Sequence, residues 1–148
     1  MDLTFVGTFT RMAFKDLSQG IKISISRSIT TSFESYMNGI NWTEDKFNMQ
    51  NFVAEWGEYI INHASWYSQI SEETKADSEF HEQLAVKINE VINKILSEKP
   101  SQAQMEEISE LQEQLGEEYD YSCKIEAKYI IEQMKEKLKK NRQANACR

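Results

Sequence analysis

The sequence predicts an all-α protein, a small bundle of about four to five helices that ends in a charge-split helix or helix pair. One proline and five glycines in 148 residues leave few positions for the turns of a strand-rich fold. Apolar residues recur at intervals of three and four, most clearly from residue 43 onward. Hydrophobic residues make up 40% of the chain and charged residues 28%, as in globular proteins. We therefore expect a single helical domain over residues 1–140, followed by a frayed tail over 141–148.

The first forty residues fit two interpretations. Residues 3–17 have helical spacing, and so do five later apolar residues: Leu17, Ile21, Ile25, Ile29 and Phe33. However, residues 21–25 also alternate as a strand does, and residues 24–32 are rich in types that disfavour helix interiors. We favour helix. The alternative is an α+β fold with a hairpin formed by residues 4–10 and 21–26, which would need helices packed on it.

A helix is predicted to begin at Thr43 and to extend to Tyr67. The Thr43 hydroxyl is expected to cap it, with Glu44 and Asp45 at the positive end of the helix dipole. Its apolar face has eight members: Phe52, Val53, Trp56, Tyr59, Ile60, His63, Ala64 and Tyr67. Gly57 lies within this helix, where a glycine can mark the close approach of another backbone.

An amphipathic helix is predicted after a polar loop over residues 71–78. Ser78 is expected to be its N-cap, and Pro100 ends it. Six residues form its regular apolar stripe: Phe80, Leu84, Ile88, Val91, Ile92 and Ile95.

The segment after the proline carries the clearest charge pattern. Ser101 and Gln104 are spaced as a capping box, in which each side chain pairs with the other residue's N–H. Residues 106–120 contain seven carboxylates and no basic residue, whereas the chain turns basic from Lys124. Either one long helix passes through Gly116 or two helices meet there. Opposite charge blocks on a mostly helical segment indicate protein contacts, within the chain or with a partner.

The sequence contains no signature of a catalytic, cofactor or metal site, and we expect none of these. Its two histidines and two cysteines lack metal-site spacing, and no glycine-rich nucleotide-binding motif is present. His63 is expected to be a core histidine bonded to a neighbour, the alternative being a base or ligand. Cys123 lies in an apolar stripe and is expected to be a small buried residue.

Charge and composition also predict the compartment. A net charge of −7 argues against nonspecific nucleic-acid binding. The basic residues between 135 and 142 are explained by the negative end of a helix dipole. No leader peptide and no apolar run of membrane-spanning length is apparent, and two cysteines suit a reducing compartment. We expect a cytoplasmic protein.

The predicted function is therefore non-enzymatic binding of another protein, as a small regulator, inhibitor or immunity-type factor. A phage or plasmid origin is a guess from size and composition. The expected contact residues are aromatic anchors and an acidic face that suits a partner's basic surface. They are Trp42, Trp66, Tyr67, Glu106, Glu107, Glu110, Glu113, Glu117 and Glu118.

Two other functions are considered. A self-associating structural protein could form a homodimer by antiparallel pairing of residues 101–140, acidic against basic. An enzyme that uses His63 with neighbouring carboxylates is the third hypothesis.

Overall fold

The computed structural model describes residues 14–146, and over this range the protein is helical, without a strand. Seven α-helices follow one another: α1 Gln19–Gly39, α2 Met49–His63, α3 Ser65–Gln69, α4 Glu72–Ala76, α5 Ser78–Ser97, α6 Gln102–Leu115 and α7 Lys124–Ala146. Short 3-10 helices span Phe14–Asp16 and Glu44–Lys46. The all-α class is confirmed. The hairpin alternative is wrong for residues 21–26, which lie in α1, whereas residues 4–10 lie outside the described range.

Two hydroxyls in the middle of α1 bond to carbonyls of the preceding turn, whereas the buried Ser32 Oγ has no partner among the described residues. Ser28 Oγ donates to the Ile25 carbonyl at 2.7 Å, and Thr30 Oγ1 donates to the Ser26 carbonyl at 3.1 Å. Such bonds to the preceding turn satisfy hydroxyls inside a helix. Ser28 Oγ also accepts a hydrogen bond from Trp56 Nε1 at 3.0 Å, which ties α1 to α2.

The predicted start of α2 at Thr43 is wrong. Thr43 precedes only the 3-10 helix Glu44–Lys46, and its side chain makes no capping bond. The N-cap is Asn48, whose side chain accepts the Asn51 N–H at 3.0 Å. The helix also stops earlier than predicted, because Ala64 has an extended backbone and separates α2 from α3.

The segment predicted as a loop over residues 71–78 contains the short helix α4. Ser71 caps α4 by accepting the Thr74 N–H at 3.1 Å. The predicted cap of α5 is one residue off: Ser78 is already helical, and the Asp77 carbonyl accepts the His81 N–H at 3.1 Å. Asp77 therefore holds the cap position.

By its internal contacts the chain divides into two compact units, residues 1–93 and 94–148. The core of the first unit is aromatic where α1 meets α2. Phe33 is 1% exposed, and its ring lies edge-on to the rings of Phe47 and Phe52, with centroids 6.2 Å and 5.6 Å away. Ile25 and Ile29 of α1 are fully buried. The expectation of a single domain over residues 1–140 stays a prediction.

In the second unit, α6 and α7 are separate helices. Gly116 ends α6 with a left-handed backbone (φ 69°), a conformation that glycine adopts without strain. The predicted capping box of Ser101 and Gln104 is present and starts α6. Cys123 is fully buried, as predicted. The last helix continues to Ala146, past the start of the tail that we expected to be frayed.

The helices α6 and α7 run side by side in the same direction. Near their beginnings, Gln104 Nε2 donates to the Lys124 carbonyl at 3.1 Å. Beyond the end of α6, Lys137 Nζ lies 2.7 Å from a Glu117 carboxylate oxygen. The Lys124 N–H also donates to the Glu98 carbonyl at 2.8 Å, just before α6 begins. The start of α7 thus lies beside the start of α6, and a later turn of α7 lies beside the end of α6, so the two helices are parallel. The connecting segment must therefore run back along the full length of α6.

Candidate functional site

An apolar groove of about 380 Å³ lies on the N-terminal unit. Its two long walls are single faces of α2 and α5. Those faces are Met49, Val53, Trp56 and Ile60 on α2, and Phe80, Leu84, Ala85 and Ile88 on α5. Each set recurs at intervals of three, four or one residue, so each wall extends along about three helical turns. Largely apolar lining with few polar groups is typical of binding sites in proteins.

Two stacked tryptophans line the inner part of the groove. The rings of Trp56 and Trp66 are 6.3 Å apart between centroids, with an interplanar angle of 29°. Trp66 is 2% exposed, and its buried Nε1 has no hydrogen-bond partner among the described residues. Buried donors are usually paired, so this N–H is an unused donor beside the groove.

The polar residues of the groove come from α4 and α5. The Lys75 ammonium lies 4.2 Å from the centroid of the Tyr67 ring and 3.1 Å from a Glu72 carboxylate oxygen. His81 Nε2 lies within hydrogen-bond distance of the Lys75 carbonyl. A carbonyl only accepts, so His81 Nε2 is the donor in this contact. Asn89 adds an amide to the lining.

Exposed apolar side chains continue the groove onto the surface. Met49 is 38% exposed and Val53 39% exposed, although both belong to the groove wall. Gly57 belongs to the same wall, and a Cβ built there meets no atom of the described residues within 4 Å. Within residues 14–146, the predicted close approach of another backbone at Gly57 is therefore wrong. The missing side chain leaves space that belongs to the groove.

The structure separates the three aromatic contact candidates. Trp66 and Tyr67 both line the groove, Trp66 buried and Tyr67 half-buried. Trp42 is not part of that lining. Its ring lies edge-on to Phe33, 6.2 Å away between centroids, and its Nε1 donates to Asn38 Oδ1 at 2.9 Å. Trp42 thus packs against α1, the helix that precedes it. Their roles in partner contact stay predictions.

Two of the six acidic candidates are paired within the chain. Glu107 lies 2.8 Å from Lys135 Nζ, and Glu117 lies 2.7 Å from Lys137 Nζ. The hydrogen bond from Lys137, with that from Tyr119, lowers the pKa of Glu117. The same contact with Glu117 raises the pKa values of Lys137 and Tyr119. The remaining four are exposed: Glu106, Glu110, Glu113 and Glu118.

The prediction of a core histidine at position 63 is wrong, because His63 is exposed at the end of α2. Its ring centroid is 5.3 Å from that of Tyr59. Both rings line a shallow pocket of about 340 Å³ together with Glu55 and Glu58. Neighbouring carboxylates are thus present, as the enzyme hypothesis requires. By contrast, burial raises the pKa of the Cys123 thiol and disfavours a nucleophilic thiolate.

Three further searches bear on function. Within residues 14–146, no group of three or more His, Cys, Asp or Glu side chains is arranged to hold a metal ion. No helix in that range is long and apolar enough to cross a membrane. No family model, curated protein or solved structure matches this chain.

Sequence reasoning identified Trp66 and Tyr67 but missed the groove itself. Met49, Lys75 and Asn89 carry no motif, and they meet only because the short helices α3 and α4 place Tyr67 and Lys75 beside α5. One signal was present. The predicted apolar face of α2 includes both Phe52 and Val53, which is wider than a single buried stripe needs. Phe52 is fully buried, and Val53 is the apolar side chain left at the groove.

Proposed function

We propose that this protein is a non-enzymatic binding module that holds an amphipathic helix of a partner protein in its apolar groove. The observation that carries the proposal is the pair of apolar groove walls, each one face of a long helix, with exposed Met49 and Val53 at the surface. A regulator or inhibitor acts through such a contact without chemistry of its own.

The dimensions of the groove favour a helix as the occupant. The wall on α2 extends from Met49 to Ile60 and the wall on α5 from Phe80 to Asn89, which gives lengths of about 14–16 Å. That length accommodates about three turns of a helix, with apolar anchors at positions i, i+4 and i+7. Burying one leucine- or phenylalanine-sized anchor contributes roughly 1.5–3 kcal/mol.

The exposed carboxylates of α6 and of the segment that follows it are a second feature that supports the proposal. Four of them have no ion pair with a described residue: Glu106, Glu110, Glu113 and Glu118. A basic surface on the partner would meet these charges and accelerate association. Charges exposed in this way change the association rate and its salt dependence more than the affinity.

Site-specific photo-crosslinking tests the groove. A photoreactive phenylalanine replaces Val53 in the groove wall or, as a control, Ile61, which is also on α2 and is 65% exposed outside the groove. We expect the Val53 variant to cross-link a partner protein and the Ile61 variant to leave it uncaptured. Gly57→Leu should fill the groove and abolish the Val53 cross-link, because no atom of the described residues occupies the space at Gly57.

Equal capture from both positions would contradict the proposal, as would capture that persists in Gly57→Leu. A partner segment that binds as an extended strand would contradict the helical occupant. Circular dichroism of Gly57→Leu checks that the protein is still folded.

Self-association through residues 101–140 is the weaker candidate. The hypothesis was based on acidic and basic charge blocks that could pair between two copies of the chain. Glu107–Lys135 and Glu117–Lys137 already form ion pairs within one chain, so these charges do not require a second copy. Light scattering after size exclusion at low and high salt tests it. A dimer that dissociates as salt rises would favour self-association over binding of a different protein.

A further inference from the structure

A second cavity, of about 440 Å³, lies on the N-terminal unit between α1 and α5. Its charged lining residues in the described chain are all basic: Lys22 and Arg27 from α1, and Lys87 from α5. The whole chain has 24 acidic and 17 basic residues. This pocket is lined by three basic residues and by no described carboxylate. Its lining is therefore basic, whereas the chain as a whole is acidic.

The cations are available to a ligand to different degrees. The Arg27 side chain is exposed and forms no ion pair with a described residue. Lys87 has one long contact, 3.8 Å from the Glu90 carboxylate, and Glu90 is 63% exposed. An ion pair of this length with one exposed partner stabilises a helix only weakly. An incoming anion can therefore displace Glu90 at little cost.

Hydroxyl groups stand beside these cations on α1. Thr30 Oγ1 already donates its proton to the Ser26 carbonyl. Ser26 and Thr31 also belong to the lining, and each carries a hydroxyl with one O–H donor. A planar guanidinium, an ammonium and hydroxyl donors are the groups that proteins use to hold phosphate oxygens.

The pocket also has an apolar part. Phe14 and Ile23 belong to its lining, and Ile23 is 44% exposed. Phe14 is fixed in place, since its N–H donates to Gln83 Oε1 at 2.8 Å and its ring packs against Phe80, 6.4 Å between centroids. An apolar surface next to the cations suits a ligand whose charged group carries an apolar or aromatic substituent.

We propose that this pocket binds the phosphate group of a small phosphomonoester, with Arg27 and Lys87 as the charged contacts and Phe14 and Ile23 against the organic part. This site is separate from the apolar groove and does not depend on its function. The same phosphate chemistry occurs in a free metabolite and in a lipid headgroup, and the test distinguishes the two.

The test is an NMR titration of amide shifts with phenyl phosphate and, separately, with inorganic phosphate. We expect saturable shifts confined to residues 19–31 of α1 and to the turn around Lys87, with tighter binding of phenyl phosphate. Arg27→Gln and Lys87→Gln should each raise the dissociation constant about tenfold, the value of one lost charge-assisted contact. Lys46→Gln is the matched control, since Lys46 is exposed and outside this lining.

Three outcomes would overturn the proposal. The first is that the amide shifts do not saturate with phenyl phosphate, and the second is that they spread over the whole surface. The third is a loss of affinity in Lys46→Gln equal to that in Arg27→Gln and Lys87→Gln, which would indicate general charge attraction. Sedimentation with phosphatidic acid vesicles, against phosphatidylcholine vesicles, separates the sources. Binding to the former vesicles without binding of phenyl phosphate would assign the site to a lipid headgroup and refute a small-molecule site.

Discussion

Replacing Gly57 by alanine should stabilise the protein. Gly57 lies inside α2, eight residues after its start and six before its end, where the backbone is regularly helical. A Cβ at this position meets no atom of residues 14–146 within 4 Å, so the added methyl group enters the groove without a clash with them. Nothing in the described structure opposes the substitution.

The magnitude follows from helix propensity. Glycine in a helix interior is about 1 kcal/mol less favourable than alanine. The main reason is that the backbone of a glycine loses more conformational freedom on folding than the backbone of an alanine. The free energy of unfolding should therefore rise by about 1 kcal/mol. For a chain of this length, that change raises the melting temperature by roughly 2–4 °C.

Urea unfolding followed by tryptophan fluorescence and circular dichroism measures this change. Gly116→Ala is the contrasting variant, because its left-handed backbone (φ 69°) makes a side chain cost roughly 1–2 kcal/mol even though the space is open. We expect the free energy of unfolding to rise in Gly57→Ala and to fall in Gly116→Ala. A destabilised Gly57→Ala would mean that another part of the chain packs at this position, and the groove would then not be open as described.

Three further predictions concern single side chains. Lys137→Gln should raise the pKa of the Glu117 carboxyl toward its ordinary value, measured by NMR titration, because the Lys137 hydrogen bond is the main cause of the lowering. Because the folded state favours ionised Glu117, this carboxylate stabilises the fold at pH values above the ordinary carboxyl pKa. That stabilisation is lost as the pH falls through the lowered pKa of Glu117. An unchanged Glu117 pKa in Lys137→Gln would contradict the contact. Met134→Ala should cost roughly 2–5 kcal/mol in a urea titration, because Met134 is fully buried in α7, and a loss below 1 kcal/mol would mean that the side chain is not in the core. His63→Ala should leave stability within about 0.5 kcal/mol, because the ring is exposed, and a larger loss would restore the buried histidine that the sequence suggested.

The elements that the sequence predicted correctly are those with local causes. The start of α6 depends on the reciprocal bonds of Ser101 and Gln104, which a four-residue pattern specifies completely. The apolar stripe of α5 also needs no distant information: Phe80, Ile88 and Ile95 are buried as its period predicts.

The errors have tertiary causes. Thr43 has the right chemistry for a cap, but Asn41 and Trp42 adopt left-handed backbones (φ 56° and 54°) before it. These conformations turn the chain after α1, and regular helix resumes only at Asn48. The apolar groove depends likewise on how α3 and α4 place Tyr67 and Lys75 against α5, which spacing along one helix does not encode.

The parallel course of α6 and α7 limits how the connector between them can change in length. The 14 residues of α6 extend about 21 Å. The eight residues 116–123 must cover that distance in return, and fully stretched they reach only about 26–29 Å. The connector therefore has little slack, and the loss of two residues would pull α7 out of register with α6. Added residues, by contrast, would form a surface loop. We therefore expect this connector to tolerate insertions but not deletions.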